Sequence, residues 1–365
     1  MQLIKNILPI CCLCLLTACG ATTTTSTNTS SASFDALSEW GDLYAQTYFT
    51  TFETQSAALS DALGSYCETN NDDNLDAVQQ AWLRQHKTWQ TLRIINVAPL
   101  TDDLPTYSDR IYAGNLFNSD GESAVDSLLD SALPVTSIAN ESVLVQGIPA
   151  LEYILFKKIP EQVLTQSQCL WAINIADNLA LMATYLRVQW LENLADFKNP
   201  AQQTGGYSDR TEVLAEVLNG LNEYIEIIAR YKINRPMGIE NSVPDTASVE
   251  GRFSGESLTV LMDNILGINR LLIGGEHNVV TLLQDVGATQ HVESLQNIMS
   301  NLDAQLQIIV AADVDVLSID TSSQNTARTA YLTLHEELIA LSALLFDHVI
   351  DAVGGTALFN SVDGD

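Results

Sequence analysis

Apolar residues in this chain recur three and four positions apart, segment after segment, and no stretch of useful length alternates them with polar ones. The first pattern puts side chains on one face of a helix, whereas a strand needs a period of two. Leu75, Val78, Trp82, Trp89 and Leu92 make one stripe, Ala176, Leu179, Ala183, Leu186 and Trp190 a second, and Val213, Val217, Leu221, Tyr224 and Ile228 a third. Such stripes must be buried against one another, so an all-α fold is expected. Residues 34–66 are predicted to form the first helix, and the two tryptophans of the second read as core. Residues 99–121, rich in Pro, Asp, Ser and Gly, read as a long loop, and residues 123–133 as a short helix. Further on, Ser254 is placed to cap a helix over residues 257–267.

Charge narrows the partners. The 365 residues carry 16 Lys and Arg against 45 Asp and Glu, a net charge of -29. Phosphate backbones need clustered cations, so nucleic acid is excluded as a partner, while a cationic ligand suits the surplus of acid. At 46% hydrophobic and 17% charged, the chain has the composition of a globular protein, long enough for two domains.

The N-terminus reads as a targeting segment. Lys5 precedes a short apolar run over residues 7–16, too brief to span a bilayer. Leu16-Thr17-Ala18-Cys19 then resembles a bacterial lipobox, which implies a signal peptide over residues 1–18, lipidation of Cys19 and attachment to the membrane by lipid alone. Gly20 in place of Asp after the cysteine is similar to lipoproteins of the outer membrane, periplasmic or surface-exposed. Residues 19–33, nearly all Thr, Ser, Asn and Ala after the cysteine, read as a flexible tether. Once the signal is removed and Cys19 is acylated, only Cys67 and Cys169 remain, and in an oxidising compartment they are predicted to pair.

Several chemistries lack a starting point. Asp72, Asn74 and Asp76 begin like a calcium loop, but Ala77 and Leu83 stand where its glycine and glutamate belong. The five histidines, His86, His277, His291, His335 and His348, are scattered, and no His-Glu-x-x-His occurs. His348 and Asp351 lie three apart on one apolar helix and supply at most two ligands. No nucleophile elbow, Ser-x-x-Lys or phosphate loop is present.

An acid inside an apolar run remains to be explained. In Val145-Gln-Gly-Ile-Pro-Ala-Leu-Glu-Tyr-Ile-Leu-Phe156, Gly147 and Pro149 mark a helix start and Glu152 falls one turn after Ile148. Glu152 is either a first-turn acid favoured by the helix dipole or a carboxylate set there for a partner, an arginine or a cation. The stretch resembles the signature of the imelysin family, Gly-x-His-x-x-Glu followed by an aromatic and aliphatic run. Pro149 stands in the place of the motif histidine and Glu152 matches the glutamate. Arg110-Ile111-Tyr112, the Pro236-Met237-Gly238 loop with the Ser-rich helix start at Arg252 to Ser257, and the Phe359-Asn360 and Asp363-Gly364-Asp365 ending are similar to imelysin segments too.

The resemblance implies two helical, four-helix-type bundles related by duplication: residues 34–203 with the signature helix and residues 204–357, followed by an acidic tail, 358–365. It places Gly147, Pro149, Glu152, Arg110, Arg252 and Ser254 about a pocket between the bundles. It implies a role in iron uptake, with iron, another divalent cation or a small ligand bound there, Glu152 being the candidate metal ligand. Proline has no lone pair for a metal, so the expected protein binds its ligand without catalysis. The alternatives are a metallopeptidase with a non-standard ligand set that includes His348, and a structural partner of an outer-membrane iron receptor.

Overall fold

The structure, a computed structural model, describes residues 26–359 except 103, 114–116, 132–136, 201–205, 241–242 and 318–324. Cys19, the segment before it and residues 360–365 of the tail lie outside the described residues. All regular structure among the described residues is helical.

Helix α1 (Ser26–Leu43) runs through a π-helical turn (Tyr44–Phe49) into α2 (Thr50–Glu68) without a break. The wider turn has a packing reason. Residues five apart diverge on a regular α-helix but share a face in a π turn, and here Tyr44 and Phe49 both meet the ring of Trp190, at 5.8 and 5.1 Å. The helix starts inside the stretch read as a tether. Ala32 packs on the core and Ser33 is buried, so docking carries a weakly helical run into the helix.

Asn71 caps α3 (Asp72–Leu92) by accepting from the Asn74 N–H. The expected loop after it holds α4 (Tyr107–Ile111), closed by a reciprocal Thr106–Asp109 capping box. Then come α5 (Ser119–Leu129) and the signature helix α6 (Gly147–Tyr153), which continues through a π turn (Ile154–Lys158) into α7 (Ile159–Glu161). The turn precedes Pro160, which has no N–H to give to the preceding helical turn. Helix α8 (Gln166–Lys198) follows, and a Cys67–Cys169 disulfide ties its first turn to the end of α2.

The second half repeats the device. Helix α9 (Arg210–Ile227) passes through a π turn (Ile228–Asn234) into α10 (Arg235–Met237), again with a proline, Pro236, just beyond. Helices α11 (Ser257–Leu272), α12 (Val279–Asp285), α13 (Thr289–Ala312) and α14 (Thr326–Leu344) follow, the last extended by a π turn (Leu345–Val349) and α15 (Ile350–Ala352). The cap expected from Ser254 is not made: Glu256 takes the N-cap position of α11, and the Ser254 hydroxyl is engaged elsewhere.

By contact, α2, α3, α6 and α8 form one group of helices and α9, α13 and α14 another, with α11 packed against both α3 and α13. Helix α1 touches α8, α9 and α12 and so spans both groups, and α3 lies directly on α11. Gly267 permits that approach, since a Cβ there would sit 1.8 Å from the Ile94 side chain. Trp82 and Trp89 are fully buried in a core that continues across the seam.

Candidate functional site

The signature helix begins where a side chain cannot fit. Gly147 has φ +66°, and a Cβ on it would lie 2.1 Å from the Ile111 carbonyl oxygen and 2.6 Å from that of Arg110. Its absent side chain lets α6 start against the end of α4. Pro149, in the first turn, is buried, and its ring fills a position where an N–H would have had no helical partner. Trp82 ties this turn to α3 by donating from its indole N–H to the Ile148 carbonyl at 3.0 Å.

Glu152 is 6% exposed and spends one oxygen on the other group of helices. Its Oε1 accepts from the Phe253 N–H at 3.1 Å, the Ser254 N–H at 3.0 Å and the Ser254 hydroxyl at 2.8 Å. Gly251 and Gly255, with φ +70° and +76°, bend residues 251–255 so that successive amides face the carboxylate, a small anion nest. Burial pushes the Glu152 carboxyl above its ordinary range, opposed by the hydrogen bonds from Ser254 and Phe253 and by the charge of His86.

Glu152 and Ser254 therefore meet, as one side of a clasp across the seam. Arg252, in the same turn, lies over the Phe253 ring at 4.5 Å and pairs with Glu122 of α5. Arg110 covers the Tyr107 ring at 5.5 Å, and its backbone carbonyl lies against Gly147.

A second polar junction lies deeper. His86 and Gln90 project from α3, Tyr224 from α9, Lys232 from the π turn after it, and Asn264 from α11, around Glu250 in the preceding loop. Lys232 Nζ is 2.8 Å from Glu250 and donates to Asn264 at 2.6 Å, to Tyr224 at 3.2 Å and to the Gln90 carbonyl at 3.2 Å. The Gln90 amide donates to Glu250 and stands 2.7 Å from His86 Nε2, which is itself 3.5 Å from Glu250. The His86 ring lies between Trp82, at 4.5 Å, and Tyr112, at 5.8 Å and nearly parallel. Arg93 sits over the Tyr224 and Tyr112 rings at 4.7 and 5.2 Å.

Burial pushes Lys232 down to about 8, although Glu250 supports its charge. Burial also acts to raise Glu250, but the Lys232 ammonium, the His86 hydrogen bond and the Arg93 charge outweigh it and hold that carboxyl well below the usual range. Sequence reading passed over this junction because its members span residues 86–264. The available signal was a polar pair, His86 and Gln90, one turn apart on the apolar face of α3.

These side chains do not suit a catalytic metal. Pro149 has no lone pair, Glu152 Oε1 is filled by three donors, and Lys232 and Arg93 put two cations at the polar centre. Among the described residues no three His, Cys, Asp or Glu side chains converge as a metal site would require. His348 is exposed and stacks on His291 at 4.9 Å.

A cleft of about 700 Å³ opens at another part of the seam, within the range of ligand pockets. Asn96 and Thr101, beyond the end of α3, form one wall, and α9 and the segment after α15 form the rest. Asp209, Glu212, Glu216 and Glu223 line it, with no Lys or Arg among the described lining residues. Burial pushes Glu216 up against hydrogen bonds from Tyr207 and the Ala98 N–H, and the charges of Glu212 and Asp102 push the same way as burial.

A family model described as imelysin matches residues 45–341. The chain belongs to the imelysin family. An imelysin-like protein from Psychrobacter arcticum has a similar structure, with a TM-score of 0.69 and 18% identity over 89% of this chain and 98% of that one. So does a protein from Parabacteroides distasonis described as an iron-regulated protein A precursor, with a TM-score of 0.64 and 14% identity over 87% of this chain and 95% of that one. At such identities the likeness concerns the fold. No curated protein matches the chain. In this imelysin the signature glutamate holds the second group of helices to the first through a turn of its backbone.

Proposed function

We propose that this imelysin is a lipid-anchored, non-catalytic binding protein of the bacterial envelope that serves iron uptake, taking a positively charged ligand into the acid-lined cleft between its two groups of helices. The cleft carries the reading: it is about 700 Å³, borders both groups, and is lined by four carboxylates with no Lys or Arg among its described residues. Carboxylates facing one concavity focus a negative potential there, which concentrates cations and speeds their capture. The net charge of -29 extends that field beyond the cleft. The iron-regulated neighbour supports the physiological setting, and the lipobox-like Leu16 to Cys19 supports the anchor. The Glu152 clasp supports the non-catalytic part, because the oxygen that three donors occupy is not free to act as a general base.

Calorimetric titration of the mature protein with ferrous and ferric iron, zinc and spermidine, and with haem as a ligand of opposite charge, tests the reading. Saturable binding of a cation is expected, weakened about tenfold or more in Glu216→Gln/Glu223→Gln and by added salt. Absence of saturable binding by every cation, or binding of haem alone, refutes it.

A further inference from the structure

We infer, on the reading of the acid-lined cleft just given, that the cation it selects is a linear polyamine, whose ammonium groups are strung along a chain of methylenes. Glu212, Glu216 and Glu223 stand four and seven residues apart on α9, so they share one face and form a row about 16 Å long, parallel to the helix axis. Asp209, the N-cap of α9, continues the row at its near end. Asp209 and Glu212 are exposed and Glu216 and Glu223 half-buried, so the charges of the row are presented to whatever enters the cleft.

A row of this kind does not suit a bare metal ion. A hard divalent cation gathers about six oxygens within roughly 2.6 Å, whereas among the described residues no three His, Cys, Asp or Glu side chains converge. The volume, about 700 Å³, is that of a site for an organic molecule. The acids also lack a counter-charge, since no Lys or Arg is among the described lining residues. Burial raises Glu216, and the charges of Glu212 and Asp102 add to it, so the row repels itself until a cation arrives. Glu212 accepts from the Ser208 N–H and hydroxyl, and Glu216 from Tyr207 and the Ala98 N–H. A carboxylate has about four acceptor positions, so both keep capacity for an ammonium.

The facing wall gives the rest of the ligand. Leu358 and Phe359 make it apolar, and it is fastened to α9 by one side chain: Asn219 accepts from the Leu358 N–H at 2.8 Å and donates to the Thr356 carbonyl at 3.0 Å. Phe346 holds the Phe359 ring in place at 5.4 Å. Methylenes lie against this wall while the ammoniums between them face the row, and the aromatic face attracts a cation as well. Once one ammonium is paired, the next meets its carboxylate at high effective concentration, so affinity rises with the number of amines.

Calorimetry at neutral pH on the full mature chain, with spermine, spermidine and putrescine, tests the inference. Hexaamminecobalt(III) is the control, a compact cation with the same charge as spermidine. Saturable one-to-one binding of spermine and spermidine is expected, with putrescine and hexaamminecobalt(III) each about tenfold or more weaker than spermidine. Glu212→Gln/Glu223→Gln, which removes both ends of the helical row, should weaken spermine about tenfold or more, and Glu293→Gln/Asp303→Asn, on the exposed face of α13, should leave it unchanged. No saturable binding of spermine or spermidine, hexaamminecobalt(III) binding as tightly as spermidine, or equal losses in the two double variants overturns the inference. Saturable binding of a metal ion while no polyamine binds also overturns it, but leaves the cleft as the cation site. The comparison of spermidine with hexaamminecobalt(III) uses the unaltered protein and stays decisive if a variant does not fold.

Discussion

Replacing Glu152 separates a structural strut from a ligand-binding acid. In Glu152→Ala the Phe253 and Ser254 amides lose the oxygen they share, whereas the Ser254 hydroxyl can still turn to the Gly251 carbonyl, 3.2 Å away. Two unpaired amides would cost about 1–3 kcal/mol each if fully buried, but Phe253 and Ser254 are only half-buried and water can reach them, so the variant should lose less than that sum, roughly 1–3 kcal/mol. Glu152→Gln keeps an acceptor of the same shape and sheds a charge that burial disfavours, and should stay within about 1 kcal/mol of the parent at neutral pH. The pH dependence has a defined sign. An acid whose folded pKa is raised carries no penalty below its unfolded value, near 4.3, and carries all of it above the folded value. The parent should therefore gain on Glu152→Gln as pH falls toward 4. Urea denaturation reads the stabilities, and amide hydrogen exchange at Phe253 and Ser254 reads the clasp itself. Equal exchange protection and equal stability in Glu152→Ala would refute the strut.

The disulfide closes a separation of 102 residues, for which chain entropy alone gives about 4.7 kcal/mol. Cys67→Ser/Cys169→Ser should lose up to about that much, and an unchanged denaturation midpoint would contradict it. At the inner junction Glu250 is held below its unfolded value, so its contribution is complete above a pH of about 4.3 and is lost on acidification. Glu250→Gln leaves Lys232 buried without its counter-charge and should cost about 3–5 kcal/mol at neutral pH. Its deficit should shrink in acid, as stability measured across pH would reveal.

Helical class was legible because a period near four is written into every long segment. Where helices end was less so. Residues 34–66 read as one helix, and no periodicity announces that it starts at Ser26 or widens at Tyr44. Helix α4 was hidden in a Pro- and Asp-rich stretch, although Thr106 and Asp109 at capping-box spacing were there to be found. At the site, an acid in the apolar run of α6 singled out Glu152 but left open whether the helix dipole or a partner accounts for it. The partner was a backbone turn a hundred positions away, and backbone amides leave no mark in a sequence. Lys232, Glu250 and Asn264 were invisible for the same reason: each is an ordinary polar residue until α3 and α11 come together.

The bond between Cys67 and Cys169 also decides how the molecule would respond to tension. It encloses α3 to α7, and with them His86, Gln90 and Glu152, whereas Lys232, Glu250 and Ser254 lie outside it. A pull on the two ends of the chain cannot lengthen the enclosed stretch, so about 350 Å of contour stays hidden while the thiols remain joined. The load would fall first on the seam between the two groups of helices, where the Glu152 clasp and the Glu250 junction would part before the ring gave up any length.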